Sequence, residues 1–150
     1  MGTSAVTKED QLQKSNYQFK FNGDICLGCG TCVSVCSIYK EGVVNDLLAR
    51  IKQTRHIFEI EYTVDFCRQC HHAECYYACP ENAISIHPKT GARIIDESAC
   101  TGCKLCIEAC PFNIMFFSQE RNVALKCDLC DGEPQCVKFC PSGALSISRI

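Results

Sequence analysis

Sixteen of the 150 residues are cysteine, and all sixteen fall into four short runs of four. In every run two residues separate the first and second cysteine, and three separate the third and fourth. Only the middle gap varies, from two residues in the first and third runs to four in the second and five in the fourth. The runs are Cys26, Cys29, Cys32 and Cys36; Cys67, Cys70, Cys75 and Cys79; Cys100, Cys103, Cys106 and Cys110; and Cys127, Cys130, Cys136 and Cys140. The fold must therefore accommodate sets of four thiols, with none left over.

This spacing is typical of 4Fe-4S ligands, where three thiolates of one run bind one cluster and the fourth binds a second. Four runs predict four 4Fe-4S clusters, with all sixteen cysteines as ligands. Proline follows the last cysteine of three runs, at Pro80, Pro111 and Pro141, and prevents a helix from continuing there, whereas Ser37 follows the first run. Four glycines stand where a loop around a cluster needs unusual backbone angles or close approach: Gly28, Gly30, Gly102 and Gly132.

Two other uses of cysteine are the alternatives. Disulfide scaffolds of this cysteine content occur in short secreted chains. Residues 1–16, however, lack the apolar core, twin arginine and small-residue cleavage site of an export signal, which favours a cytoplasmic location. Structural zinc sites usually combine two separated pairs of ligands, rather than a triple and a distant single ligand. The spacing favours iron–sulfur clusters, and zinc is the main alternative.

The composition limits the size of the hydrophobic core and the classes of partner that the chain can bind. Hydrophobic residues make up 47% of the chain, but the sixteen cysteines are among them. We therefore expect the clusters to act as the core, and the metal-free chain to be unfolded or molten. No segment reaches the roughly eighteen apolar residues of a membrane helix, so we expect a soluble chain without direct membrane insertion. A net charge of −2 without a basic stripe argues against nucleic acid as a partner.

The residues between the runs predict short strands and turns. Alternation and β-branched residues predict strands at residues 17–21, 83–86, 93–95, 113–118, 122–125 and 144–148. Pro88 and Gly91 mark a turn between the second and third of these. Short helical turns are predicted after the fourth cysteines, at residues 80–82 and 141–143. Residues 46–51 fit either a helical turn or the start of a strand.

All four runs together resemble the four-cluster ferredoxin-like electron-transfer subunits of the dimethyl sulfoxide reductase, formate dehydrogenase, hydrogenase and carbon monoxide dehydrogenase type. The resemblance covers residues 17–150. It implies an α+β fold of tandem, nested bacterial two-cluster ferredoxin-like units, with short antiparallel strands and short helices around the clusters. The outer unit is expected from residues 17–40 and 120–150, the inner unit from 60–118, and a flexible N-terminal segment from 1–16.

In that family the first and fourth runs exchange their last cysteines, and so do the second and third. The implied ligand sets are Cys26, Cys29, Cys32 with Cys140; Cys127, Cys130, Cys136 with Cys36; Cys67, Cys70, Cys75 with Cys110; and Cys100, Cys103, Cys106 with Cys79. The strand, turn and strand predicted between Cys79 and Cys100 independently favour the inner exchange, because such an insert is typical of a two-cluster unit.

The resemblance implies a relay subunit and not an enzyme. No nucleotide-binding GxGxxG motif is present and no open metal position is implied. Residues 39–42 and 48–51 are similar to cytoplasmic subunits paired with tungsten aldehyde oxidoreductase type enzymes. We therefore expect a larger catalytic subunit of the tungsten or molybdenum pterin type, with a flavin- or NAD-linked subunit as a second partner. The alternatives are a subunit of a hydrogenase or carbon monoxide dehydrogenase, a freely diffusing polyferredoxin, and a non-redox cluster or zinc protein. Head-to-tail self-assembly is a further hypothesis.

Charged residues inside two runs give a hypothesis about reduction potentials. Arg68, His71 and His72 in the second run would raise the potential of a nearby cluster, because positive charge stabilises its more negative reduced form. Asp128, Asp131 and Glu133 in the fourth run would lower it. The alternative is that these side chains point to solvent and are screened.

Overall fold

The computed structural model describes residues 15–150, which form short elements joined by tight loops. The strands are β1 (Tyr17–Phe21), β2 (Ile51–His56), β3 (Glu61–Phe66), β4 (Ile84–Ile86), β5 (Arg93–Ile95), β6 (Phe116–Ser118), β7 (Val123–Leu125) and β8 (Leu145–Arg149). The α-helices are α1 (Thr31–Glu41), α2 (Glu74–Ala78), α3 (Leu105–Ala109) and α4 (Gln135–Lys138). Short 3-10 turns lie at Gly23–Ile25, Asp46–Leu48 and Leu129–Gly132. This is a small α+β arrangement, consistent with 4Fe-4S ferredoxin-like domains.

The strands form four separate antiparallel pairs. Three are local hairpins, β2 with β3, β4 with β5 and β6 with β7. The fourth pair, β1 with β8, joins the two ends of the described chain. In this pair Tyr17 lies opposite Arg149 and Phe21 lies opposite Leu145. Next to this pair, the Asn16 backbone N–H donates to the Thr90 carbonyl oxygen at 2.9 Å. Residues 1–14 of the predicted N-terminal segment lie outside the described residues.

Most predicted strands are present. Residues 17–21 form β1, and β4, β5 and β8 lie within one residue of their predicted bounds. The strands predicted at 113–118 and 122–125 are shortened to β6 and β7. Residues 46–51 contain both predicted alternatives, a 3-10 turn and then the first residue of β2. The hairpin of β2 and β3 was not predicted.

The predicted helical turns at 80–82 and 141–143 are wrong. Both segments are non-helical turns that follow the last cysteine of a run. The short helices lie earlier, around the third cysteine of each run, and α2 and α3 end one residue before the fourth. Proline directly after the fourth cysteine has no N–H to donate, so the helix cannot extend across it.

Two clusters of buried residues form the interior of the described chain. The first combines Val33, Val64, Phe66 and Leu145 with cysteines of α1 and α4. The second combines Ile84 and Met115 with cysteines of α2 and α3. Cysteine therefore makes up much of both cores, as the composition suggested. No helix within residues 15–150 is both long enough and apolar enough to cross a membrane.

A network of four charged side chains connects the segment after α1 with the segments around β5 and β7. Arg50 forms an ion pair with Glu41, and both side chains are largely buried. Arg121 contacts Glu41 at 2.9 Å and Glu97 at 3.4 Å. Burial opposes the charged form of Glu41, but hydrogen bonds from Arg121 and Arg50 outweigh it, and the pKa of the carboxyl is lowered. The network joins parts of the chain that are distant in sequence.

Candidate iron–sulfur cluster sites

The third cysteine of every run lies within the first two residues of a helix and is buried. These residues are Cys32, Cys75, Cys106 and Cys136. Helix α1 packs against α4, and α2 packs against α3. This pairing brings the first run close to the fourth and the second close to the third.

Three cavities are each lined by four cysteines. We name each cavity after one of its cysteines. The Cys36 cavity is lined by Cys36, Cys127, Cys130 and Cys136; the Cys67 cavity by Cys67, Cys70, Cys75 and Cys110; and the Cys79 cavity by Cys79, Cys100, Cys103 and Cys106. Each set takes three cysteines from one run and the last cysteine of another. These are three of the four groups that the resemblance implied, and their role as ligand sets stays a prediction.

The remaining four cysteines, which we call the Cys29 group, are Cys26, Cys29, Cys32 and Cys140. Burial raises the pKa of Cys32 to about 11, and the nearby thiolates of Cys29 and Cys26 add to this effect. The pKa of Cys29 is lowered mainly by a hydrogen bond with the Thr31 side chain, against an opposing contribution from nearby Cys140. Cys140 therefore lies beside the first run, although nearly the whole described chain separates them.

Burial makes the third cysteine of every run a poor thiolate by itself, because it raises the pKa of each of these four thiols. Burial raises the pKa of Cys106 to about 11, with further contributions from Cys100, Cys75, Cys79 and Cys103. The pKa of Cys136 is also raised, first by burial and then by surrounding thiolates. Four sulfurs around one cavity need a positive core to become thiolates together, and metal binding releases their protons. A cubane cluster, bound by four thiolates, fits this donor set.

Several hydrogen bonds point at the sulfurs. The backbone N–H groups of Arg50 and Ala83 donate to Cys36 Sγ at 3.2 Å and to Cys79 Sγ at 3.3 Å. The Lys126 ammonium donates to Cys67 Sγ at 2.8 Å. Donors of this kind stabilise the thiolate and tune the reduction potential of a bound cluster.

The predicted glycine positions all have positive φ. Gly28 and Gly102 also have no room for a side chain. A Cβ at Gly28 would lie 2.3 Å from the Tyr62 ring, and one at Gly102 would lie 2.4 Å from the Asn122 carbonyl oxygen. Both glycines precede the second cysteine of a run directly, so close packing of these loops depends on them.

The structure changes the hypothesis about charges. Asp128 forms an ion pair of 2.5 Å with Lys40, so its charge is largely neutralised. The side chains of Arg68, His71, His72 and Glu133 are exposed, which fits the solvent-screened alternative. Asp131 is also exposed, but its charge still contributes to the raised pKa of Cys130. The buried or partly buried cations that act on the sulfurs are instead Lys126, Arg93, Arg50 and Lys40, which the sequence did not single out. The only available signal was the position of Lys126, directly before a cysteine run.

The sulfurs surround cavities instead of converging on a point. Across residues 15–150, no three His, Cys, Asp or Glu side chains are placed to hold a single metal ion.

Comparisons with known proteins agree with this geometry. Residues 58–150 match the model of a 4Fe-4S dicluster domain, and residues 23–42 match a 4Fe-4S binding domain. The polyferredoxin-like subunit of aliphatic sulfonate oxidoreductase from Pyrococcus furiosus is 36% identical over 120 residues, covering 78% of this chain and 67% of that protein. The electron transfer subunit PhsB of thiosulfate reductase from Salmonella typhi is 30% identical over 138 residues, covering 83% and 71%.

Solved structures also resemble the chain. The active site complex BamBC of benzoyl coenzyme A reductase contains a chain that matches with a TM-score of 0.54 and 26% identity, covering 89% of this chain and 77% of that one. The two domain matches and the sixteen cysteines are consistent with four 4Fe-4S clusters. The chain belongs to the 4Fe-4S dicluster domain family, and its relatives are iron–sulfur electron-transfer subunits of oxidoreductase complexes.

Proposed function

We propose that this chain is the electron-transfer subunit of an oxidoreductase complex and relays electrons through four 4Fe-4S clusters between a catalytic subunit and a second redox partner. One observation carries the proposal: the four cysteine sets adjoin one another in a row. Each bound cluster would supply a one-electron carrier, and the chain supplies the thiolates, the shielding from water and the spacing.

The order of the row follows from which cysteines of neighbouring sets lie close enough to raise each other's pKa. Thiolates of the Cys29 group and the Cys36 cavity interact through Cys32 and Cys136. The Cys36 and Cys67 cavities interact through Cys127 and Cys67. The Cys67 and Cys79 cavities interact through Cys75 and Cys106. The cysteines at the two ends of the row include Cys29 and Cys103, which are the exposed members of the sixteen. Exposed cysteines at both ends suit entry and exit of electrons at the two ends of the row.

The ligand sets of this proposal are the three cavity sets and the Cys29 group. They support two nested units, an inner one around α2 and α3 and an outer one closed by the β1–β8 pair. The packing suggests different boundaries from those expected from the sequence. Val64 and Phe66 pack in the core with α1, whereas Ala124 packs in the core with α2 and α3. We therefore assign the β2–β3 hairpin to the outer unit and β7 to the inner one.

A catalytic subunit of the tungsten or molybdenum pterin type is the partner we favour. The relatives named above belong to a sulfonate oxidoreductase, a thiosulfate reductase and a benzoyl coenzyme A reductase, so subunits of this kind accompany several chemistries. The choice of a tungsten or molybdenum enzyme among these chemistries is supported by the similarity of residues 39–42 and 48–51 to the corresponding segments in subunits of tungsten enzymes. A relay role needs no substrate site in this chain, and all sixteen cysteines belong to the four sets.

Anaerobic affinity purification of the tagged chain from its host tests the proposal. We expect about sixteen irons per chain and a larger co-purifying subunit that contains tungsten or molybdenum. Nickel in that subunit would redirect the partner to hydrogenase or carbon monoxide dehydrogenase, and discrete iron-loaded chains without a partner would indicate a diffusing polyferredoxin. Stoichiometric zinc in place of iron would refute the relay.

Two variants at the ends of the row provide an internal test. Cys29→Ser and Cys103→Ser each alter one terminal cluster in an exposed loop. If the row is a relay, both variants still bind the partner, and each slows electron transfer through the complex. Unchanged transfer in both variants would contradict a route along the whole row.

A further inference from the structure

Lys126 is a buried cation that the proposed relay does not yet use. It follows β7 directly and is 7% exposed. Its ammonium donates to Cys67 Sγ at 2.8 Å, and the Gln69 Oε1 and Cys127 carbonyl oxygens lie within 3.4 Å. The three donors of the ammonium therefore face three acceptors, one of which is sulfur.

The surroundings of Lys126 fix its direction. The Gln69 amide donates from Nε2 to the Cys127 carbonyl oxygen at 2.7 Å, and its Oε1 accepts from the Arg93 backbone N–H at 2.9 Å. This orientation presents Oε1, and not the NH₂ group, to Lys126. Gln69 therefore positions the Lys126 ammonium next to Cys67 Sγ.

Lys126 has no carboxylate partner within the part of the chain that the structure describes. The nearest acidic residue in sequence, Asp128, is paired with Lys40. Glu41 and Glu97 are engaged by Arg50 and Arg121. A buried cation without a counter-charge is strongly unfavourable, so the negative charge that balances Lys126 has to come from the sulfur side.

The position of Lys126 relates it to two cysteine sets. Its side chain lines the Cys67 cavity. Its own backbone leads directly into Cys127 of the Cys36 cavity, and Cys127 and Cys67 are close enough to interact. These two cavities are the middle pair of the row, so the ammonium lies at the junction between the outer and inner units.

We propose that Lys126 is the shared counter-charge of the two central clusters and raises both of their midpoint potentials. The inference rests on the ligand sets of the proposed function. Reduction adds one negative charge to a cluster, and a fixed cation at this junction stabilises the reduced form of either neighbour. Because Lys126 is buried, water and salt screen it far less than they screen the exposed Arg68. Lys126 is a positioning residue for charge and binds no cluster iron.

Potentiometric EPR on the anaerobic, cluster-loaded chain tests this role. In Lys126→Met we expect two of the four midpoints to fall, each corresponding to at least a tenfold loss in the equilibrium constant of reduction, which is 59 mV for one electron. The other two midpoints stay unchanged. Lys138→Met is the control for burial, because it removes the same charge from an exposed, solvent-screened position inside the fourth run, between Cys136 and Cys140.

Further variants separate charge from folding. Lys126→Arg keeps the charge and should restore both midpoints, and Lys126→Gln keeps a donor without the charge and should lower them. Cys70→Ser and Cys130→Ser identify which signals belong to the two central cavities. The inference would be overturned if Lys126→Met and Lys126→Gln both kept four clusters with unchanged midpoints. It would also be overturned if all four midpoints fell equally. Either result would leave the relay intact. A wild-type chain without four clusters would instead refute the relay itself.

Discussion

Replacing Gly102 by alanine tests whether the loops around the clusters have the tight packing seen in the structure. Gly102 lies between Cys100 and Cys103 with φ of +73°, and an added Cβ would meet the Asn122 carbonyl oxygen at 2.4 Å. Real Cβ atoms do not approach backbone oxygen so closely, and Asn122 is itself tied to this loop, since its side chain donates to the Thr101 carbonyl oxygen at 3.1 Å. The loop or the β6–β7 turn must therefore shift in Gly102→Ala.

The cost has two parts that a control can separate. An L-residue in the left-handed region costs about 1–2 kcal/mol, and overpacking in a tight site costs about 1–3 kcal/mol more. Gly143→Ala isolates the first part, because Gly143 has φ of +70° and an added Cβ would meet nothing within 4 Å. The difference between the two variants is then about 1–3 kcal/mol, or roughly 2–12 °C in the unfolding midpoint for a chain of this size.

The assay follows cluster absorbance during anaerobic heating of both variants at one scan rate, together with iron content. We expect Gly143→Ala to keep about sixteen irons and to melt slightly below wild type. Gly102→Ala should melt lower still and lose iron first from the Cys79 cavity, toward about twelve irons per chain. Equal melting and equal iron content in the two variants would refute the reasoning, because the clash would then have no effect.

Three other outcomes are expected. Removing iron with an oxidant and a chelator should abolish near-ultraviolet circular dichroism, because cysteines make up much of both cores; a native-like spectrum without iron would contradict this. Asp128→Asn should raise one midpoint in potentiometric EPR by leaving Lys40 unpaired, whereas Lys40→Met combined with Asp128→Asn should return it near wild type. Asp131→Asn should raise that midpoint less than Asp128→Asn, because the Asp131 side chain adds to the raised pKa of Cys130 but is 73% exposed and therefore screened. Glu41→Gln should destabilise the chain by about 3 kcal/mol at pH 7, since it breaks a buried pair. Because the folded pKa of Glu41 is below its ordinary value of 4.5, this contribution exists above that pH and is lost as pH falls through the folded pKa, so melting curves of variant and wild type should converge in acid.

The sequence predicted the parts of the fold that depend on local patterns. Alternating side chains gave β1 at its observed bounds, and turn residues gave the β4–β5 hairpin. The β2–β3 hairpin was missed although residues 61–66 are rich in β-branched and aromatic residues, because its tip, Ile57 to Ile60, is apolar and exposed and lacks ordinary turn signals. The helices around the third cysteines were missed because the ligand spacing alone does not state which residues between ligands are helical.

The cysteines of the candidate site could be predicted from the sequence, but the charged side chains that lie next to them could not. Cysteine spacing predicts the ligands, since each cluster imposes its own geometry on the loop that binds it. Pairing of Lys40 with Asp128 spans 88 residues and could not be derived from either local segment. The burial of Lys126 next to Cys67 likewise depends on tertiary packing, whereas an acidic or basic side chain inside a run draws attention without being near a sulfur.

The pairing of β1 with β8 has a consequence for biosynthesis. Phe21 can pair only after its partner Leu145 has been synthesised. At a translation rate of about 5–20 residues per second, roughly 6–25 s separate the synthesis of the two residues. During that interval β1 is an unpaired strand whose alternating aromatic residues can pair with other chains. The hairpins between these strands pair over short stretches of chain and can form as they emerge from the ribosome. Nascent chains are therefore vulnerable to aggregation through β1 until β8 has been synthesised.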